Sequence, residues 1–209
     1  MATTTARPIT PEQYTALMEP VVKMPTPEEL FEFQREKLVD KRLAPSGIMF
    51  DHFGKHLPNG FFLLVPPQPA PVEELDWNEL MARVELYGKK GRNYLDPKHL
   101  KDEIEVPKVP TMLVDVEDGR GRLGIRPMDS RVNILREGRT AYHLWGGYIH
   151  TLLFPSVLKH HHLDVVSSRY GAGYAPSFCL HGEKPALGDG WGRGPGRRWG
   201  APSCGSVET

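Results

Sequence analysis

Residues 140–154, with the sequence TAYHLWGGYIHTLLF, decide the fold that this chain predicts. Thr140 is a good helix cap, and the apolar residues after it make one broad helix face: Leu144, Trp145, Tyr148, Ile149 and Leu152. So wide an apolar face is typical of a helix in a protein core. We therefore expect residues 140–154 to form the main core helix, with strands packed against it.

Strand patterns lie on both sides of this helix. Alternating apolar and polar residues on either side of Asp118-Gly119 predict a β-hairpin over residues 111–126. Residues 61–65, 163–168 and 177–181 also read as strands. Helix start signals occur at Thr10, Thr26 and Asp76, and residues 127–137 read as a further helix. The prediction is an α+β fold: antiparallel strands packed on a central helix, with a helical N-terminal extension.

Prolines mark the one boundary that the sequence suggests. Residues 66–71, PPQPAP, form a stiff, extended spacer, although a proline-rich ligand for an aromatic groove has the same composition. This predicts a helical extension with a short strand over residues 1–65, a linker over residues 66–75 and an α+β module over residues 76–209.

Composition limits the class of protein. The 26 basic residues are balanced by 26 acidic ones, which argues against a general binder of nucleic acids or anionic membranes. We find neither a signal-peptide pattern nor an apolar run of membrane-spanning length, so we expect a soluble cytoplasmic protein. In a reducing compartment the two cysteines are expected to be thiols or metal ligands instead of a disulfide.

Four residues share one side of the predicted core helix: His143, Gly146, Gly147 and His150. Paired glycines inside a helix cost roughly 1 kcal/mol each relative to alanine, so they favour a close approach by another group. One interpretation is that another element packs into this glycine notch. The other is that His143 and His150 flank a bound ligand.

A second group of residues suggests a metal site. In a strand, Cys179 and His181 lie on the same face, and Cys204 with His160 or His162 could complete a zinc site. Three alternatives stay open: the histidines at 160–162 cap a helix end, Cys204 is a nucleophile activated by a histidine, or both cysteines are buried thiols.

The run at residues 188–200, GDGWGRGPGRRWG, is the most unusual in the chain, and we name it the Gly/Arg/Trp loop. Its glycine amides and arginines suit an anion, and its tryptophans suit stacking on a base or sugar: Arg193, Arg197, Arg198, Trp191 and Trp199. It matches no standard phosphate-binding motif. The structural alternative is a long connection that the tryptophans anchor in the core.

Three motifs in the second half of the chain carry a family resemblance. They are DVEDGR at 115–120, SRYG at 168–171 and WGAPSCGS at 199–206. Together they resemble a bacterial family of proteins with a domain of unknown function, over roughly residues 77–206. The resemblance implies that this region forms one module, and it implies no catalytic or binding residue.

Two functions follow as hypotheses. No set of catalytic residues is complete, which favours a non-enzymatic binding module that holds an anion or a protein partner through the Gly/Arg/Trp loop or the N-terminal extension. The alternative is a metal- or cysteine-dependent enzyme of small molecules, centred on Cys179, His181 and Cys204.

Overall fold

The computed structural model describes residues 25–189 and 196–209, which form the α+β fold that the sequence predicts. The α-helices of these residues are α1 (Pro27–Asp40), α2 (Trp77–Arg83), α3 (Pro127–Arg136), α4 (Leu144–Leu153) and α5 (Val157–His160). The strands are β1 (Leu63–Val65), β2 (Glu85–Leu86), β3 (Lys89–Lys90), β4 (Arg92–Asn93), β5 (Leu100–Asp102), β6 (Thr111–Val114), β7 (Thr140–Ala141), β8 (His162–Asp164), β9 (Ser168–Tyr170), β10 (Pro176–His181), β11 (Lys184–Asp189), β12 (Trp199–Gly200), β13 (Ser203–Cys204) and β14 (Ser206–Glu208).

Helix α4 is the core helix that the sequence predicts. All of its residues are buried, and it packs against α1, β1 and β10. It begins later than predicted because His143, and not Thr140, caps it: the N–H of Gly146 donates to the Nδ1 of His143 at 3.4 Å. Thr140 instead belongs to β7, which pairs antiparallel with β13. The helix prediction is therefore wrong for residues 140–143.

A five-stranded sheet, in the order β12-β8-β10-β11-β4, packs on one side of α4. Strands β8 and β10 overlap two of the predicted strand regions, 163–168 and 177–181, and pair antiparallel. Strands β10 and β11 form a hairpin whose turn residues Gly182 and Glu183 both have positive φ, at 55° and 66°. The outer pairs, β11 with β4 and β12 with β8, are parallel, so the sheet is mixed.

A three-stranded antiparallel sheet, in the order β1-β6-β14, packs on α4 through β1. Its arrangement corrects the predicted hairpin over residues 111–126. Strand β6 ends at Val114, and Asp115 turns the chain with a φ of 52°. Residues 120–122 then form a 3₁₀ turn instead of a second strand. The predicted hairpin is wrong because β6 pairs with β1 and β14, and both of these strands come from distant parts of the sequence.

The first described helix belongs to the same core as the rest of the chain. It begins at the predicted start signal, and Thr26 and Glu29 form a capping box there: the N–H of Glu29 donates to Thr26 Oγ1 and the N–H of Thr26 donates to Glu29 Oε2. Its Gln34 is fully buried and bridges the backbone of β1, donating to Phe62 O and accepting from the N–H of Leu64. Apolar residues between 30 and 65 lie in one hydrophobic cluster with residues as far along as 204.

The proline-rich segment is also attached to this core. The indole N–H of Trp145 donates to Pro66 O at 2.8 Å, and the indole N–H of Trp77 donates to Val72 O at the same distance. Val72 is itself buried. Over residues 66–75 the chain therefore runs along the core surface. The helix predicted after Thr10 lies outside the described residues, and none of the described helices is long and apolar enough to cross a membrane.

Candidate functional site

A cavity of about 250 Å³ lies beside the N-terminal end of α4. One wall is the β1-β6-β14 sheet, another is the chain from β7 into α4, and the segment of residues 104–107 lines a third side. The lining residues are Val65, Ile104, Glu105, Val106, Pro107, Thr111, Leu113, Thr140, Ala141, Tyr142, His143, Trp145, Cys204 and Val207. Most of these side chains are apolar, which is usual for a small-molecule site.

His143 supplies the cavity with a neutral polar group. Burial lowers the pKa of His143 to about 4, so its imidazole is uncharged near neutral pH. The Nδ1 atom accepts the helix-capping N–H of Gly146, which requires the proton of the neutral ring to sit on Nε2. The ring nitrogen left for a ligand is therefore a hydrogen-bond donor.

Cys204 lines the cavity from strand β13, and its chemistry is that of a thiol. Burial raises the pKa of Cys204 to about 12, although Arg139 acts in the opposite direction. Burial also raises the pKa of Cys179 to about 11. The thiolate is the nucleophilic form of cysteine, and at neutral pH almost none of it is present at either position. This chemistry does not favour the predicted nucleophilic role of Cys204.

Tyr142 separates the cavity from a buried group of charges. Its ring lines the cavity, and burial raises the pKa of its hydroxyl, as do the nearby Cys204, Asp118 and Glu117. Its Oη atom has no hydrogen-bond partner within residues 25–189 and 196–209. We name residues 117–122, which lie behind Tyr142, the charged turn.

The charged turn is built around the carboxylate of Glu117. Its Oε1 accepts the N–H groups of Gly119 and Gly121, at 2.9 and 3.0 Å, and its Oε2 pairs with Arg122. Arg122 also pairs with Glu137, just beyond α3. Burial raises the pKa of Glu117 to about 7, while the backbone donors and Arg122 lower it. The carboxylate thus holds the turn together, and its oxygens are occupied.

The rest of the charged turn is also largely buried, although Asp118 Oδ2, Arg120 Nε and Arg122 Nε have no hydrogen-bond partner within residues 25–189 and 196–209. Asp118 is fully buried, its Oδ2 lies 3.1 Å from Arg120 Nε, and burial raises its pKa to about 6. The Nε2 of His161 is 2.7 Å from Asp118 O and donates to it. At Gly119 the φ is 101°, and an added Cβ would lie 2.7 Å from the carbonyl carbon of Gly200. These contacts explain the charges of the turn as structural, and they leave the cavity as the space for a ligand.

The structure places the five predicted metal ligands in separate positions. Cys179 and His181 both lie on β10, His162 lies on β8, and His160 ends α5, while Cys204 lies on β13 in another sheet. In the described part of the chain, no three His, Cys, Asp or Glu residues come close enough to hold a metal ion. The described residues therefore do not support the zinc hypothesis, because Cys204 lies in a different sheet from Cys179, His181 and His162.

The glycine notch of α4 is filled by packing, at Gly147. A Cβ on this residue would overlap Cγ1 of Val165 and lie 3.0 Å from Cε2 of Phe178. At Gly146 a Cβ would meet only the ring of His143, at 3.6 Å or more. The packing interpretation is therefore confirmed for Gly147. His150 is fully buried and packs against the rings of Phe61, Tyr142 and Phe154, while His143 is the residue that borders the cavity.

The Gly/Arg/Trp loop is described only in part. Trp191 and Arg193 lie outside the described residues. Arg197 and Arg198 are exposed, and Trp199 is half-buried in β12, where its ring packs near that of His162. Arg198 donates to Lys159 O at 2.8 Å.

Of the residues that line the cavity, only His143 and Cys204 were predicted from the sequence as candidate site residues. Tyr142 resembled any other core aromatic residue, and residues 104–107 resembled an ordinary loop. No local signal shows that these residues face one another, because the cavity walls come from five separate stretches of the chain.

No protein-family model matches the chain, and no curated protein and no solved structure is significantly similar to it. The resemblance to a bacterial family over roughly residues 77–206 stays a prediction. The function has to be argued from the geometry of the site.

Proposed function

We propose that the protein is a non-enzymatic binding protein that holds a small, largely apolar molecule in the cavity beside α4. The observation that supports this most directly is the cavity itself, about 250 Å³ of space lined mostly by apolar side chains. An engineered apolar cavity of about 150 Å³ is enough to bind benzene. The cavity of this protein thus suits a ligand with about one ring.

The side chains around the cavity favour binding over catalysis. Acid–base catalysis needs a group whose pKa lies near the working pH, and nucleophilic catalysis needs an activated nucleophile. His143 has its pKa lowered to about 4 and Cys204 has its pKa raised to about 12, so each stays in its uncharged form. Both groups can make hydrogen bonds to a ligand without reacting with it.

The segment of residues 104–108 offers a route into the cavity. Its N-terminal neighbour Glu103 is fixed by ion pairs with Arg131 and Arg169 and by a hydrogen bond from its N–H to Ser167 O. From residue 104 to residue 108 no backbone hydrogen bond joins the segment to the rest of the described chain. Only side-chain contacts hold it, so it can move aside at a small cost in free energy.

Calorimetric titration with 2-phenylethanol, an uncharged one-ring probe, tests the proposal. Val106 is half-buried and lines the cavity, whereas Val109 is exposed and does not. We expect Val106→Trp to fill the cavity and weaken binding at least tenfold, and Val109→Trp to bind like the unsubstituted protein. If Val106→Trp does not fold, Val207→Trp on the exposed edge strand β14 serves instead. Absence of binding to the unsubstituted protein, or equal binding by both variants, would reject the cavity as the site.

A second candidate function rests on the end of the Gly/Arg/Trp loop. Arg197 and Arg198 are exposed, and within the described residues neither one forms an ion pair. Two such guanidinium groups suit an anion or an acidic protein partner. Replacing both by alanine is expected to abolish binding of an acidic peptide, measured by fluorescence anisotropy. Replacing the exposed Arg169 by alanine is expected to leave binding of the peptide unchanged. Equal effects of the two changes would remove the loop from consideration.

Location in the cytoplasm is part of the proposal. Cys179 and Cys204 are both free, and they lie in different sheets. Free cysteines are usual in a reducing compartment.

A further inference from the structure

The charges around the cavity carry information about its ligand. Among the lining residues that the structure describes, Glu105 is the only acidic one. The remaining polar groups of the lining are the hydroxyls of Thr111, Thr140 and Tyr142, the thiol of Cys204 and the imidazole of His143. No lysine or arginine is among these lining residues.

An anionic ligand is disfavoured by this lining. A carboxylate that leaves water needs a charged or strongly donating partner to offset its lost hydration. His143 cannot become that partner near neutral pH, because burial lowers its pKa to about 4. Arg139 lies close to Cys204 but is already paired with Asp115, at 2.5 Å. A carboxylate in the cavity would also be repelled by Glu105.

Glu105 is placed to interact with a cation instead. Its side chain is exposed, and it lines the cavity from the segment of residues 104–108. It forms no ion pair or hydrogen bond with any residue of 25–189 or 196–209. The neighbouring Glu103, in contrast, is occupied by Arg131 and Arg169. An unpaired carboxylate at the edge of an apolar cavity complements a ligand with an apolar body and a positively charged end.

We propose that the cavity binds an amine, with the apolar body of the ligand inside and its ammonium group against Glu105. This inference rests on the proposed function, since it names the class of ligand for the same site. His143 contributes to the apolar end as a neutral hydrogen-bond donor, and it adds no positive charge that would repel the ammonium group.

Three probes that differ mainly in charge test this inference: 2-phenylethylamine, 2-phenylethanol and phenylacetate. Titration of the full-length protein at pH 7.4 is expected to show the amine binding about fivefold more tightly than the alcohol, which is the upper range for an exposed ion pair. Phenylacetate is expected to bind at least tenfold more weakly than the alcohol. If the amine and the alcohol bind equally, the inference is wrong while the proposed function stands. If none of the three binds, the proposed function fails.

Glu105→Gln gives the second arm of the test, and Glu208→Gln is the matched control. Glu208 is exposed and follows the lining residue Val207, but strand geometry places it on the opposite face of β14. We expect Glu105→Gln to lower the ratio of amine affinity to alcohol affinity from about fivefold to about one. Glu208→Gln should keep the preference. Loss of the preference in both variants would mean that general surface charge, and not Glu105, selects the amine.

Discussion

Helix α4 borders two kinds of interior that differ sharply although they lie one helical turn apart. Next to Gly147 the interior is full, because Val165 and Phe178 occupy the place where a Cβ would be. Next to His143 the interior holds a cavity of about 250 Å³. The charged turn behind Tyr142 belongs to the full part, since ion pairs and backbone donors occupy the carboxylate of Glu117.

This difference indicates which polar groups serve the fold and which are left for a ligand. Buried charges in the full part have fixed partners, and pKa shifts there reflect burial and pairing. Apart from the carboxylate of Glu105, the polar groups that line the cavity are uncharged and few. Strongly shifted pKa values mark functional sites only as a tendency, because structural ion pairs shift them as well. In this protein the contacts of the charged turn are structural, and the cavity is the site that we propose for a ligand.

The largest effect is expected from breaking the charged turn. Arg122→Leu leaves the buried carboxylate of Glu117 without its guanidinium partner, which typically costs about 3–5 kcal/mol of unfolding free energy. Arg126→Leu is the control, because the pair of Arg126 with Asp129 is exposed and is expected to contribute less than about 1 kcal/mol. Urea unfolding at pH 8, where the carboxyl group of Glu117 is mostly ionised, measures both. Similar losses for the two variants would show that the turn is not a structural centre.

The pH dependence of the unfolding free energy should show the contribution of Glu117. Burial raises the pKa of Glu117 from 4.5 to about 7, so the folded protein binds this proton more tightly than the unfolded chain does. The stability from this group is therefore fully present below pH 4.5, and it is lost as the pH rises through about 7.

Glu117→Gln isolates this contribution from other titrating groups. Between pH 4.5 and pH 8 the unsubstituted protein should lose about 2–3 kcal/mol more unfolding free energy than Glu117→Gln does. Denaturant unfolding of both proteins at the two pH values gives the difference. Parallel pH curves for the two proteins would mean that Glu117 is ionised throughout this range.

A smaller difference in unfolding free energy is expected between alanine substitutions at the two glycines of α4. Gly147→Ala introduces a Cβ where Val165 and Phe178 already lie, and overpacking of this kind costs about 1–3 kcal/mol. Gly146→Ala meets only ordinary contact distances and should be neutral or stabilising by up to about 1 kcal/mol, since alanine favours helix. Thermal unfolding of the pair measures the contrast. A loss of stability at Gly146 equal to that at Gly147 would contradict the account of a full and an open interior.

The features that the sequence predicted correctly are local ones. The helix caps at Thr26 and Asp76 depend on side chains that reach backbone groups within three residues, and both are present. The strand at residues 177–181 and the turn after it also depend on near neighbours. Gly147 could be predicted as a packing site because glycine destabilises the interior of a helix and is favoured where another group approaches the backbone closely.

The features that it did not predict depend on distant partners. The alternation around Asp118-Gly119 resembled a hairpin, but Glu117 faces inward as the anchor of a turn, and β6 pairs instead with β1 and β14. The sequence around Cys179 and His181 correctly predicted that both lie on one strand. It did not reveal that Cys204 lies in another sheet. The cavity could not be predicted either, because its lining residues are distant in sequence and come together only in the folded chain.

Cys204, which lines the cavity and lies close to Tyr142, is expected to react very slowly with alkylating reagents in the folded protein. With its pKa raised to about 12, Cys204 is thiolate in only about one molecule in ten thousand at pH 8, whereas an unfolded cysteine has a pKa of about 8.5. Alkylation of native Cys204 by N-ethylmaleimide should thus be at least 100-fold slower than in urea, measured by peptide mass spectrometry. Cys179, which is half-buried, provides the internal comparison. Rapid alkylation of native Cys204 would show that the cavity stabilises a thiolate, and the cysteine-dependent enzyme would then replace the binding protein as the better account of the site.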